Sequence, residues 1–251
     1  MVKKRYLMGL ILMPGTVQPA CFGQARLDTV KILFVGSSYA HFENLRQIIS
    51  IISDSAKTKV ITKKSTKGGA RLSQHWLGKR GLKTKEMIQN GNFDFVVPQG
   101  HSMSAINEPD SLRKYSKLFC DFIKNNNSKP YFYMTWARER VPQFQQIITK
   151  VYSEFSKVND ASLVPVGKAW ELALSKRPEI NLFKSDGSHP SELSTFLTAC
   201  VFIAKVLDEI PDKLNNLYKT TDIFGESIRL MALDPLDVVF CKEVAKELVI
   251  K

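Results

Sequence analysis

Apolar residues fall along this chain in two alternating periods. From Val30 to Val35 five of six residues are apolar, most of them β-branched or aromatic, which predicts a strand buried on both faces. Gly36-Ser37-Ser38 comes next. Leu45, Ile48, Ile49, Ile52 and Ala56 then recur at spacings of three and four, the period of an amphipathic helix that starts at once after the turn. The alternation continues. Val60 to Thr62 predicts a short second strand, Phe93 to Val97 a third, Tyr131 to Thr135 a fourth and Leu163 to Val166 a fifth. Helical patterns lie between them: Lys83 to Asn90, a face from Leu112 to Ile123, another from Phe144 to Phe155, and Ala169 to Lys176. Pro190 opens an apolar helix carrying Leu193, Phe196, Leu197, Cys200, Ile203, Ala204 and Leu207 on one side. A last helix runs from about Asp237 to Val249. Five strands separated by helices predict an α/β fold, a three-layer α/β/α sandwich with a five-stranded parallel sheet.

Ligands of such sheets sit outside the carboxyl ends of the strands. The segments directly after the strands are therefore the place to look for chemistry. Gly36-Ser37-Ser38 succeeds the first strand, and the loop with Gly68-Gly69-Ala70-Arg71 the second. Gln99-Gly100-His101-Ser102 succeeds the third and Trp136-Ala137-Arg138 the fourth. Asp186-Gly187-Ser188-His189-Pro190 stands directly before the late helix. All of these can face one crevice.

A hydroxyl at the carboxyl end of a strand and the amino end of a helix can attack an acyl carbon while free N–H groups hold the oxyanion. The same residues suit an ordinary βα turn with serine as a cap, and on that stretch alone the turn is the simpler reading. A serine nucleophile also needs a base, and the base needs an orienting carboxylate. Asp186 and His189 lie three apart on a glycine-containing loop, a spacing that lets the carboxylate curl back to one ring nitrogen while the other points to Ser38. Alone, His189 reads equally well as a helix cap beside a proline. Of the other histidines, His41 reads as a surface or helix-start residue, His75 with Trp76 as a packing pair, and His101 as a crevice residue. No helical i, i+4 pair occurs among them, and no metal site is expected. Trp136 reads equally as a core cap or a sugar-stacking face. Arg138 reads as a solvated side chain or a ligand for an acidic substrate.

The amino terminus departs from the pattern. Lys3, Lys4 and Arg5 precede an apolar stretch from Tyr6 to Met13, and Gly23-Gln24-Ala25 ends the region with small residues. That is the layout of a secretory signal peptide cut after Ala25, with residues 26–251 as the mature domain, secreted or periplasmic. Cys21 opens a lipoprotein alternative, but Gln18 stands where that signal carries an apolar residue. No apolar run reaches the roughly 18 residues that a membrane span needs. The formal charge is +12, and removing the three cations of the signal leaves +9. The lysines are scattered without the aromatic side chains of a base-stacking platform, so no nucleic-acid partner is expected. Three widely spaced cysteines would remain, Cys120, Cys200 and Cys241, which set no disulfide framework.

Taken together, these blocks make the chain resemble the SGNH, or GDSL-type, serine hydrolases over about Lys31 to Leu207. Gly36-Ser37-Ser38 matches the family's Gly-Asp-Ser block with Ser in the middle place, which puts Ser38 in the nucleophile's position. Asp186-x-x-His189 meets the late block in full. The resemblance implies a flavodoxin-like fold, an oxyanion-hole glycine at Gly69, and catalysis without a cofactor. The family's third block is Gly-x-Asn, and here Gly100 is in register but Ser102 stands in the place of Asn. Gln99 and Ser102 are the candidates for the missing donor, and the reach of its amide favours Gln99. The activity implied is hydrolysis of carboxylic esters, often acetyl groups on carbohydrates, so the expected partner is a small-molecule or glycan ester. Two other classes compete: a non-catalytic carbohydrate-binding protein on a decayed scaffold of this family, and a phosphate binder at the first turn. The latter lacks the lysine of a phosphate loop.

Overall fold

The core is built outward from β1 (Asp28–Gly36), whose residues Ile32 to Val35 are fully buried. Successive side chains of a strand point to opposite faces. Ile32 and Phe34 accordingly enter one hydrophobic cluster and Leu33 and Val35 the other. The structure, a computed structural model, describes residues 28–250. The expected signal segment, Cys21 included, lies outside the described residues.

β1 is flanked by β2 (Thr58–Thr66) and β3 (Phe95–Pro98), and β4 (Lys129–Tyr133) and β5 (Ser162–Val164) complete a five-stranded sheet in the order β2-β1-β3-β4-β5. Every pairing is parallel. One face carries α1 (Leu45–Ser53), α7 (Val166–Lys176), α8 (Glu192–Leu207) and α9 (Pro235–Val249). The other carries α2 (Leu72–Trp76), α3 (Thr84–Asn90), α4 (Ser104–Asn107), α5 (Pro109–Asn125) and α6 (Phe144–Val158). This is the three-layer α/β/α arrangement that the alternating pattern predicts. Among the described residues no helix is long and apolar enough to cross a membrane.

Three departures have physical causes. β2 is nine residues long, not three, because it is an edge strand whose Lys59, Lys63 and Lys64 are exposed and hide its period. An antiparallel hairpin of β6 (Leu217–Thr221) and β7 (Ser227–Ala232) has no counterpart in the expected pattern. It buries only Tyr218 and Met231, which pack into the cluster under α8. Pro190 does not open α8. Ser191 is the cap, with its Oγ accepting from Ser194 N at 3.2 Å, and Pro190 pairs instead with Phe183 in an isolated bridge. Cys120, Cys200 and Cys241 are free and buried, and burial pushes the Cys120 thiol up to about 12.

Candidate active site

β1 delivers Gly36-Ser37-Ser38 to the carboxyl edge of the sheet. Ser38 opens a short 3-10 turn, Ser38–Ala40, and α1 begins only at Leu45. The helix expected directly after the turn is interrupted because Glu43 and Asn44 take left-handed angles, φ 46° and 59°. Ser38 therefore does not sit in the first turn of α1. The Ser38 N–H lies at the open end of one 3-10 turn and meets no protein acceptor among the described residues.

The loop before α8 folds back on itself. Asp186 Oδ1 accepts from the backbone N–H groups of Ser188 and His189, each at 2.9 Å, an Asx-type turn. The other oxygen, Oδ2, lies 2.5 Å from His189 Nδ1. With that oxygen ionised, Nδ1 carries the ring proton, and Nε2 is left to accept from Ser38 Oγ at 2.9 Å. The imidazole hydrogen bond, with the backbone donors behind it, holds the Asp186 carboxyl down at about 2. Phe42 stacks on the His189 ring at 4.2 Å between centroids, and Tyr39 meets it edge-on. The structure thus brings Ser38, Asp186 and His189 into one hydrogen-bonded line, and the aromatic walls limit the ring's motion.

The oxyanion candidates separate. Gly69 sits at the third position of a turn closed by Ala70 N to Lys67 O at 2.9 Å, and its φ of +66° is one that side chains rarely adopt. Its N–H meets no protein acceptor among the described residues. Ser102 is 5% exposed, its Oγ accepts from Arg138 Nη2 at 3.2 Å, and its own O–H faces the Tyr39 hydroxyl, from which it can turn to an oxyanion. Gln99 is placed differently from the expectation. It is fully buried beneath the turn, and its Oε1 accepts from Ser37 N at 2.9 Å and from Ser37 Oγ at 3.1 Å. The backbone donor fixes the orientation of the amide, and its Nε2 is turned to the carbonyl of Gly100. The amide braces the Ser37-Ser38 turn from beneath.

His75 and Trp76, expected to pack as a pair, part company. Trp76 packs edge-on against Phe119 and Phe122. His75 points under β1, donating from Nε2 to the carbonyl of Gly36 at 3.1 Å and accepting at Nδ1 from Thr84 Oγ1 at 2.8 Å. Thr84 in turn bonds Ser65 Oγ at 2.7 Å. Burial lowers the His75 pKa to about 4, so the ring is neutral at pH 7. The unfolded chain takes up this proton near pH 6.5 and the folded one only near 4. The contribution to stability is whole above pH 6.5 and fades as pH falls to 4, by at most about 3 kcal/mol. The melting temperature is expected to drop over that window, and His75→Gln, which can keep both bonds without titrating, should flatten the drop. Identical pH slopes for the two proteins would remove His75 as the cause.

Trp136 settles as core. It is 1% exposed, stacked between Tyr39 at 4.3 Å and Trp170 at 4.0 Å, so neither face is open to a sugar. Its Nε1 donates to Ser188 O at 3.0 Å, and Tyr39 Oη bonds Ser188 Oγ at 2.7 Å. The stack thereby ties the His189 loop to the Ser38 turn. Burial raises the Tyr39 pKa, with hydrogen bonds from Ser188 and Ser102 and the charge of Arg138 working against it. His101 is half-buried among Arg71, Glu108 and Arg138, and desolvation lowers its pKa. His41 is also half-buried, with Nδ1 unpartnered among the described residues. Two buried polar residues carry no signal in the residue pattern. Tyr152 Oη accepts from Gly100 N at 3.2 Å, and Gln145 Oε1 accepts from Ala137 N at 2.8 Å. Each lies on the apolar face of α6, where only the spacing is informative.

No protein-family profile matches the sequence, and no curated protein matches it either. Solved structures do match in shape. A DUF4886 family protein from Bacteroides uniformis is similar with a TM-score of 0.71 at 15% identity, over 88% of this chain and 94% of that one. A protein from Slackia heliotrinireducens assigned to the SGNH hydrolases gives 0.60 at 21%, over 70% and 97%. The family 3 carbohydrate esterase of Clostridium thermocellum gives 0.54 at 14%, over 72% and 96%. The parallel sheet in this strand order and these likenesses lead to one conclusion: the chain has the fold of the SGNH, or GDSL-type, hydrolase superfamily.

Proposed function

We propose that this chain is a secreted or periplasmic serine esterase that hydrolyses carboxylic esters, O-acetyl groups on carbohydrates foremost, through an acyl-enzyme on Ser38. The observation that carries the reading is the continuous line from Asp186 Oδ2 through His189 to Ser38 Oγ, joining residues 151 positions apart. His189 Nε2 takes the Ser38 proton as Oγ attacks the ester carbonyl. Asp186 stabilises the imidazolium that forms. The N–H groups of Ser38 and Gly69 hold the oxyanion, with the Ser102 hydroxyl as third donor in place of the family's Asn. His189 returns the proton to the leaving alcohol, and water, activated by the same base, releases the acid. The carbohydrate esterase among the structural neighbours supports the choice of glycan esters.

Treatment with a fluorophosphonate probe tests this directly. A single phosphonylated peptide containing Ser38 is expected, and its loss in His189→Ala. The same mass spectrum, taken on protein from the native host, is expected to place the amino terminus at Arg26. Labelling elsewhere would reject the nucleophile, no labelling at all would favour the binding-protein reading, and an intact Met1 would reject export.

A further inference from the structure

Of the cations beside the site's loops, Arg71 and Lys184 are neutralised within the protein. Arg71 Nε lies 2.8 Å from Glu108 Oε1, and Lys184 is paired with Glu43. Arg138 differs. Among the described residues no carboxylate lies within 4.0 Å of its guanidinium. Its side chain is exposed, and it donates to Ser102 Oγ at 3.2 Å and to the Tyr39 hydroxyl, leaving the rest of its five donors open.

The arm that carries it is fixed. On one side Ala137 N donates to Gln145 Oε1 at 2.8 Å, and on the other Glu139 N donates to Gly187 O at 3.0 Å. The second bond ties Arg138 to the loop that holds His189. The neighbouring carboxylate, Glu139, turns to the Gly187 backbone and not to Arg138. A Cβ built on that glycine would meet Glu139 Oε2 at 3.0 Å. Around Arg138 stand the hydroxyls of Ser102, Tyr39 and Ser188, with the half-buried His101 ring beyond them. A guanidinium on a fixed stretch of backbone, with open donors and no carboxylate in ion-pair reach, suits a planar anion. The +9 charge that remains once the expected signal is removed adds attraction at longer range.

We propose that Arg138 anchors a carboxylate on the substrate, so that the site selects esters of acidic sugars over neutral ones. The inference rests on the esterase reading for its chemistry, since the anchor matters only beside a reacting ester. Its test does not. Binding of galacturonic acid and of uncharged galacturonamide to the full chain, measured by calorimetry, requires no turnover. Galacturonic acid is expected to bind at least about tenfold more tightly, with the preference abolished in Arg138→Gln and partly kept in Arg138→Lys. Equal affinities in the wild type, no binding of galacturonic acid, or a preference that survives Arg138→Gln would each overturn the anchor. Fluorophosphonate labelling of Ser38 judges hydrolysis separately. With labelling positive, kcat/KM on O-acetylated methyl galacturonoside against its uronamide should show the same ratio, falling towards one in Arg138→Gln. A ratio of one in the wild type would overturn the substrate class.

Discussion

Ser38→Ala and His189→Ala are each expected to lower kcat on a short acyl ester by at least about 10³-fold while leaving the melting temperature close to that of the wild type. Ser38 is half-buried and its Oγ bonds His189, so the truncation opens no core cavity. The two side chains act as one unit, and removing the second after the first should cost little more. Asp186→Asn belongs to the same unit but should retain more activity. An amide can still accept the two backbone donors of the loop at 2.9 Å, so the ring keeps its place while losing the charge that stabilises the imidazolium. Phe42 and Tyr39 also wall the ring without help from Asp186. Wild-type turnover in Ser38→Ala would assign the reaction to another nucleophile. A double mutant far worse than either single would break the unit apart.

How much of this is legible in the sequence depends on what each residue has to bury. Ile32 to Val35 bury both faces of a strand, and a short apolar run that ends at a glycine turn marks it; the parallel sheet follows from the strand–helix alternation. Asp186 and His189 are legible because their partnership is local: three residues and one glycine set it. Ser38 is legible through its place at the end of β1. The left-handed Glu43 and Asn44 are not, because glutamate does not announce that backbone and a lone asparagine permits it without requiring it, and their effect is to start α1 only at Leu45. The β6–β7 hairpin is hidden for another reason. It contributes only two buried side chains, so its strands carry almost no period. His75, Gln99 and Tyr152 share a third reason. Each is a polar tip on a buried stem, and the partner that gives it meaning lies 39, 62 or 52 positions away.

The sharpest consequence concerns Gln99. An amide placed to donate to the oxyanion would be lost with a fall in kcat and no loss of stability. The geometry predicts a different outcome. Gln99 is fully buried, and its Oε1 is the acceptor for Ser37 N and Ser37 Oγ, on a residue itself only 2% exposed. Gln99→Ala leaves a buried N–H without a partner and a gap beneath the turn, a combined cost of about 2–4 kcal/mol. For a chain of this length that is a drop of roughly 5–15 °C in melting temperature. The turn that aims Ser38 loses its brace at the same time, so kcat should fall at least about tenfold. Gln99→Met separates the two causes. It fills the space without supplying the acceptor, so it should recover part of the stability and little of the rate. Gly36→Ala should act in the same direction, because a Cβ there would collide with Gln99 Oε1 and lie 3.0 Å from the Gln99 carbonyl oxygen. Its effect should not add to that of Gln99→Ala, since both disturb one contact. Ser102→Ala, in contrast, removes a hydroxyl that holds an exposed guanidinium at 3.2 Å, and should lower kcat with the melting temperature held. A Gln99→Ala protein that melts with the wild type but turns over tenfold more slowly would return the amide to the oxyanion hole and displace Ser102 from it.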